Sequence, residues 1–191
     1  MASEPVVSAA MAVLEAIRNR RSVRAFRPDP IPEEAMLALK EALRWAPSAG
    51  NLESRHFHFV HEEALRRRLA EAAFGQDFVA RAPLVVVCSA DRSIERRYGR
   101  RGLELYMLQD VAASIQNLLL AAHALGLGAV WVGAIDEGAV ARALQLEAHL
   151  RVVALVPVGF AAENPEPPRR SPLHMLVTDV GRPTATSAGG R

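Results

Sequence analysis

The chain has 191 residues, half of them hydrophobic, with 23 basic and 21 acidic side chains and a net charge of +2. That length suits one domain burying roughly 70% of the surface its unfolded state exposes, and the small net charge argues against wholesale nucleic-acid binding. No stretch approaches the roughly 20 apolar residues of a membrane span, and the only cysteine, Cys88, excludes an internal disulfide and suits a cytoplasmic protein.

Val7, Met11, Leu14 and Ile17 recur at helical spacing and predict an amphipathic first helix. No basic region precedes its apolar part, so a signal peptide is not expected. The helix runs into "RNRRSVRAF", residues 18–26, where four arginines and a serine share nine positions. Crowded guanidinium groups repel unless water or an anion separates them. Taken alone, this is a solvated basic patch at a helix end. In an extended backbone Arg20, Ser22 and Arg24 would point to one side, a row able to meet an anion.

Pro28, Pro30 and Pro32 break the chain before a second helix, whose Met36, Leu39 and Leu43 point inward and which ends near Trp45 because Pro47 restricts Ala46. "APSAGN" is a turn. "FHFV" at 57–60 reads as a short strand, "EEALRRRLAEAAF" as a charged helix, and "APLVVVCS" as a core strand covered on both faces. Residues 91–102 form a surface loop or short helix. The longest helix is predicted over 104–125, with an apolar stripe wide enough for a central helix or a seam with another chain. Gly126 caps it. "AVWVGAI" and "RVVALVPVGF" are further core strands, "DEGAVARALQL" is a short helix, and a proline-rich arm follows. Trp131 and Phe160 are read as core residues. Residues 1–179 make one domain and 180–191 a disordered tail.

Several chemistries find no support. The glycines form no dinucleotide fingerprint. Ser48 lies in no nucleophile elbow. His56 and His58 share a strand face without a third ligand nearby in sequence. Cys88 sits in an apolar run and reads as a small hydrophobe.

Taken in order, "RRSVRAF" at 20–26, "APSAGNLESRHF" at 46–57, "LLLAAHALGLGAVWVG" at 118–133 and "VPVGFAAENPEPPRRSPL" at 156–173 resemble the nitroreductase family of FMN-dependent oxidoreductases. The resemblance implies an α+β fold: a central, mainly antiparallel sheet flanked by helices, with the long helix at the interface of a homodimer. It implies two FMN sites, each shared between chains. Arg20 and Ser22 resemble phosphate ligands, Arg21 a backbone contact, and Arg24 the basic residue near the pyrimidine end of the flavin. Pro47, Ser48, Ala49 and Asn51 match flavin-lining positions contributed by the other chain. Gly133, preceded by Val132, matches the glycine facing N5. Arg170 matches a second phosphate-binding arginine, with Arg169 as its nearest substitute. No catalytic side chain and no metal are implied.

The implied activity is reduction of nitroaromatic, quinone or related small-molecule acceptors by NADH or NADPH in a ping-pong cycle. The loop departs from the family: Glu53, Ser54 and Arg55 stand where glutamine, proline and tryptophan are common, and Glu53 could pair with Arg55 or with an arginine of the first motif. No long insertion lies between Ala90 and Tyr106, which suggests an open pocket. Two alternatives stay open. One is a flavoprotein of the same fold with another reaction, such as dehalogenation, flavin cleavage or metabolite dehydrogenation. The other is a non-enzymatic basic protein that docks an anionic partner through residues 18–27.

Overall fold

A computed structural model describes residues 4–181, with side chains from Ala12 onward. Val7, Met11 and the tail from residue 182 lie outside the described side chains. Seven helices and four strands are found among the described residues: α1 (Glu4–Asn19), α2 (Glu33–Arg44), β1 (Arg55–Val60), α3 (Glu63–Ala72), α4 (Phe78–Arg81), β2 (Leu84–Asp91), α5 (Glu95–Arg101), α6 (Met107–Ala124), β3 (Leu127–Ala129), α7 (Glu137–Leu144) and β4 (Leu150–Phe160).

The strands form one sheet in the order β1-β2-β4-β3, every pair antiparallel. β2 is central and buried from Leu84 to Ala90. Its side chains alternate between faces. Leu84, Val86 and Cys88 join Met36, Leu39 and Leu43 of α2 and Val111, Ile115 and Leu118 of α6. Val85 and Val87 meet Leu69 of α3, Val79 of α4 and Val140 of α7 on the other face. The predicted inward face of α2 is therefore correct. Proline at its N-cap, Glu33 and Glu34 in its first turn, and Trp45 at its C-cap set its ends.

A bulge at Cys88/Ser89 adds a residue to β4, where Ser89 opposes Val152 and Cys88 opposes Ala154. The extra residue, Val153, turns the strand over, so Val152 and Ala154 face opposite layers.

Two elements differ from the sequence expectation. The strand predicted over 129–135 is instead β3 at 127–129, followed by a single bridge between Val132 and Leu155 in the same register. The break has a cause. At position 130 the partner is Pro157, which accepts from the Val130 N–H at 3.4 Å but has no N–H to return. The long helix begins as a π-turn at Gly102–Tyr106 and becomes α-helical only from Met107. Val111, Ser114, Ile115, Leu118, Leu119 and Ala122 are buried, whereas Leu105, Leu108 and Ala112 are half-exposed. The wide stripe thus has one face in the core and another outside it.

The arm after β4 carries only a short turn at Leu173–Met175, and Leu173, Met175 and Leu176 are exposed. Among the described residues no helix is long and apolar enough to cross a membrane.

Candidate functional site

The basic segment after α1 runs along the β3 edge of the sheet. Val23 is buried, its N–H donates to the Ala129 carbonyl at 3.1 Å, and Ser22 bridges Ala129. Glycine at position 128 permits this approach, because a Cβ there would lie 2.7 Å from Val23 Cγ1. Farther on, Arg27 N–H donates to the Phe160 carbonyl at 2.8 Å and Ala162 N–H to the Ala25 carbonyl at 2.9 Å. Between these contacts Glu163 Oε1 accepts the backbone N–H groups of both Arg24 and Ala25. A side chain, not a continuous ladder, holds this stretch, so the extended row predicted through Arg24 is interrupted.

The arginines separate by role. Arg21 turns back and donates from Nη1 to the carbonyls of Arg18 and Arg20 at 2.8 and 3.0 Å, satisfying the end of α1. Arg20 is half-buried. Burial, then the positive charges of Arg170 and Arg21, lower its pKa from the ordinary value. Arg170 thus reaches the electrostatic range of Arg20 from a part of the chain 150 residues away. Like charges gathered where water is partly excluded are relieved by an anion. Arg20, Arg21, His123, Gly128 and Glu163 line a cavity of about 250 Å³. Arg24 is directed elsewhere. It is exposed, with its guanidinium 6.0 Å from the Phe78 ring, and Phe78 packs on the cluster that buries Val132.

Val132 exchanges two backbone hydrogen bonds with Leu155, at 2.9 and 3.0 Å, and delivers Gly133 to the surface. A Cβ on Gly133 would meet only Trp131 Nε1, at 3.7 Å. Trp131 is 38% exposed, not the core residue expected, while Phe160 packs against the core under Arg27 at 4.9 Å.

A second group forms around Pro47, Ser48, Ala49 and Asn51. Ser48 Oγ accepts the Glu53 N–H at 3.0 Å, and the Ser48 carbonyl accepts the Asn51 N–H at 3.1 Å. Gly50, Asn51 and Glu53 have φ of 58°, 56° and 50°. Such a backbone costs a non-glycine residue on the order of 1–3 kcal/mol, so its surroundings must impose it.

Two side chains meet this backbone. Arg55 donates to three carbonyls: from Nη1 to Pro47 at 2.9 Å, and from Nη2 to Ala46 at 2.7 Å and Arg44 at 3.0 Å. The suggested Glu53–Arg55 pair is therefore replaced by a cap on the end of α2. Asp110, only 4% exposed on α6, accepts the Ala49 N–H on Oδ1 at 2.9 Å, while Oδ2 has no partner. Burial raises the Asp110 pKa, and the Ala49 N–H, the Arg55 charge and the Ser54 N–H, near Oδ2 but outside good hydrogen-bond geometry, oppose that rise.

Pro47, Ser48, Ala49, Gly50, Tyr98 and Asp110 border a cavity of about 490 Å³. Tyr98 and Tyr106 meet edge to face at 5.2 Å. The segment expected to leave the pocket open thus brings two aromatic rings to its wall.

The two groups sit at opposite ends of α6. Asp110 holds the loop and His123 lines the Arg20 cavity, and the helix between them spans about 20 Å. Sequence reasoning missed Glu163, Asp110, Tyr98 and the packing role of Gly128. Gly128 left a trace in "GLG", and Arg55 in the departure from the family pattern; Glu163 and Asp110 left none.

His56 and His58 share a face as predicted, with ring centroids 4.5 Å apart. Burial, then His56, lowers the His58 pKa. Among the described residues no group of three or more metal-binding side chains is found.

The sequence matches the nitroreductase family over residues 17–76 and 73–160. An NADH dehydrogenase of Thermus thermophilus is 34% identical over 204 residues, covering 92% of this chain and 98% of that protein. The structure of nitroreductase A from Vibrio parahaemolyticus superposes with a TM-score of 0.81 at 27% identity, over 88% of this chain and 75% of that one. That of the NADPH:FMN oxidoreductase of Vibrio harveyi, complexed with NAD+, superposes with a TM-score of 0.80 at 28% identity, over 88% and 76%. The chain belongs to the nitroreductase family of flavin-dependent oxidoreductases.

Proposed function

We propose that the chain binds FMN, about one per protomer, and uses NADH or NADPH to reduce nitroaromatic, quinone or related acceptors. The observation that carries this reading is the half-buried Arg20, next to Arg21 on the wall of a cavity and within the electrostatic range of Arg170, where an anionic phosphate would relieve the repulsion among the guanidinium groups. The relatives named as an NADH dehydrogenase and an NADPH:FMN oxidoreductase support the same donor and cofactor.

Arg20, Ser22 and Arg170 would hold the phosphate, and Arg21 would contribute through its backbone. FMN, when bound, supplies hydride transfer at its ring N5. The exposed Gly133, set in place by Val132, leaves that side of the ring open to a backbone approach. The charge of Arg24 would stabilise negative charge at the pyrimidine end. No side chain is assigned as an obligatory acid. One open face serves donor and acceptor in turn, which makes the kinetics ping-pong, and parallel steady-state lines are expected.

The protein acts as a homodimer in this reading. The loop group and the arginine group lie about 20 Å apart along α6, so Pro47, Ser48, Ala49 and Asn51 would serve the cofactor held by the partner's arginines. Val13, Leu14 and Ile17 of α1 are exposed, as are the apolar residues of the arm, and all would be covered in the dimer. An absorption spectrum after incubation with FMN and desalting tests the flavin. A protein without the flavin band refutes it. Light scattering tests the assembly, and a mass near 20.7 kDa for the loaded protein refutes the dimer.

A further inference from the structure

We infer that Arg55 and Asp110 are positioning residues that clamp the Pro47–Asn51 backbone in the shape the flavin needs. The inference deepens the proposed function and rests on it. Both side chains act on main-chain atoms of the same short stretch. The Arg55 guanidinium gathers the carbonyls of Arg44, Ala46 and Pro47, and the Asp110 carboxylate takes the Ala49 N–H two residues on. The loop between them carries left-handed backbone at Gly50, Asn51 and Glu53. This stretch starts from the held Ala49 and is closed by the Ser48 hydroxyl on the Glu53 N–H, so its backbone is set by what precedes it. Tyr98 closes on Gly50 so tightly that a Cβ there would strike its hydroxyl.

The arrangement is specific to the residue types present. Arginine offers a planar fork that reaches three carbonyls; the single ammonium of lysine does not reproduce that fork. Asp110 is buried, and burial disfavours its charge even with the Ala49 and Ser54 N–H groups near it. A core chosen only for stability would put an apolar or neutral side chain here. The charge of Arg55 acts on Asp110 at a distance and partly offsets the cost of burying its carboxylate, which links the two contacts electrostatically.

Apoprotein of wild type, Arg55→Lys, Asp110→Ala, Asp110→Asn and the double variant Arg55→Lys/Asp110→Ala is titrated with FMN, with thermal midpoints and amide exchange of residues 47–53 measured alongside. Arg55→Lys and Asp110→Ala are expected to weaken FMN binding about tenfold each and to speed exchange at Ala49. The double variant is expected to lose less than the product of the two. Asp110→Asn keeps an acceptor for Ala49 and is expected to recover most of the affinity without a fall in thermal midpoint. Variants that melt earlier yet bind FMN within about twofold of wild type would overturn the clamp as a positioning device and leave it as structure alone. A wild-type chain that takes up no FMN overturns the flavin reading itself, and the clamp's role with it. A wild type that binds and variants that bind equally overturn only the clamp.

Discussion

The arginine segment and the Pro47–Glu53 loop solve the same problem in opposite ways. In the first, mostly backbone contacts fix the chain, with Val23 pinned to Ala129 and Arg27 to Phe160. The Glu163 carboxylate holds the Arg24 and Ala25 amides, Arg21 folds back on the end of α1, and Arg20 and Arg24 keep their charged ends free. Arg20 and Arg170 are then available to an anion. In the second, side chains are spent on fixing the backbone, and the backbone is the part presented. The first design needs charge where it can be used, so its motif stands out in the sequence. The second needs only donors and acceptors at the right place in space, and those come from Arg55 on β1 and Asp110 on α6.

This contrast is tested most strongly at Arg20. Arg20→Ala removes a charged phosphate partner, and hydrogen bonds to charged groups contribute roughly 1.5–3 kcal/mol, so the FMN dissociation constant is expected to rise about tenfold to over a hundredfold. Titration of apoprotein measures it. If the arginines only face water, the constant will scarcely move.

At Gly128 the same segment is attacked through its backbone. Gly128→Ala sets a methyl group against Val23 in packed surroundings, and overpacking of this kind costs roughly 1–3 kcal/mol. The thermal midpoint is expected to fall, with FMN affinity falling alongside it as the arginine segment is pushed from β3. A variant that melts like wild type would show that the segment has freedom to move.

Arg24 should divide affinity from rate. Arg24→Ala is expected to change FMN affinity less than Arg20→Ala does, while lowering the flavin potential and slowing its reduction by NADH. Potentiometry and rapid mixing measure the two effects. Equal losses of affinity in both variants would place Arg24 with the phosphate group.

The smallest expected effect concerns the loop and its pH dependence. Burial raises the Asp110 pKa above 3.8 in the folded chain, so the native state binds that proton more tightly than the unfolded one. The contribution of Asp110 to stability is therefore full below 3.8 and declines as pH rises through the raised value. Asp110→Asn does not titrate, so its stability relative to wild type should improve across that window. Denaturation midpoints at several pH values measure the trend, and a difference that shrinks with rising pH would reverse it. Arg55 is the charged group that opposes the shift.

Much of the fold was legible because its signals are local. The spacing of Met36, Leu39 and Leu43 set the inward face of α2, and the apolar run at 84–88 announced a strand buried on both sides. Where the reading slipped, the reason lay in a neighbour distant in sequence. Nothing in "AVWVGAI" says that Pro157 will stand opposite Val130 and interrupt the ladder. Trp131 looked like core because it is large and apolar, but it lies between the buried Val130 and Val132, and alternation turns its side chain to the opposite, more exposed side.

By itself the sequence determined most of the helices, the β2 and β4 core strands, the basic motif and the family, since these depend on residue type and on spacing along the chain. Only the tertiary structure decided which arginine lies within the electrostatic range of Arg170, that Glu163 holds the amides of Arg24 and Ala25, and that Arg55 caps α2 instead of pairing with Glu53. It also decided that the arginines and the loop stand at opposite ends of α6. Such pairings join residues many positions apart, and a hydrogen bond or charge contact depends on a few ångströms in space that no local pattern encodes.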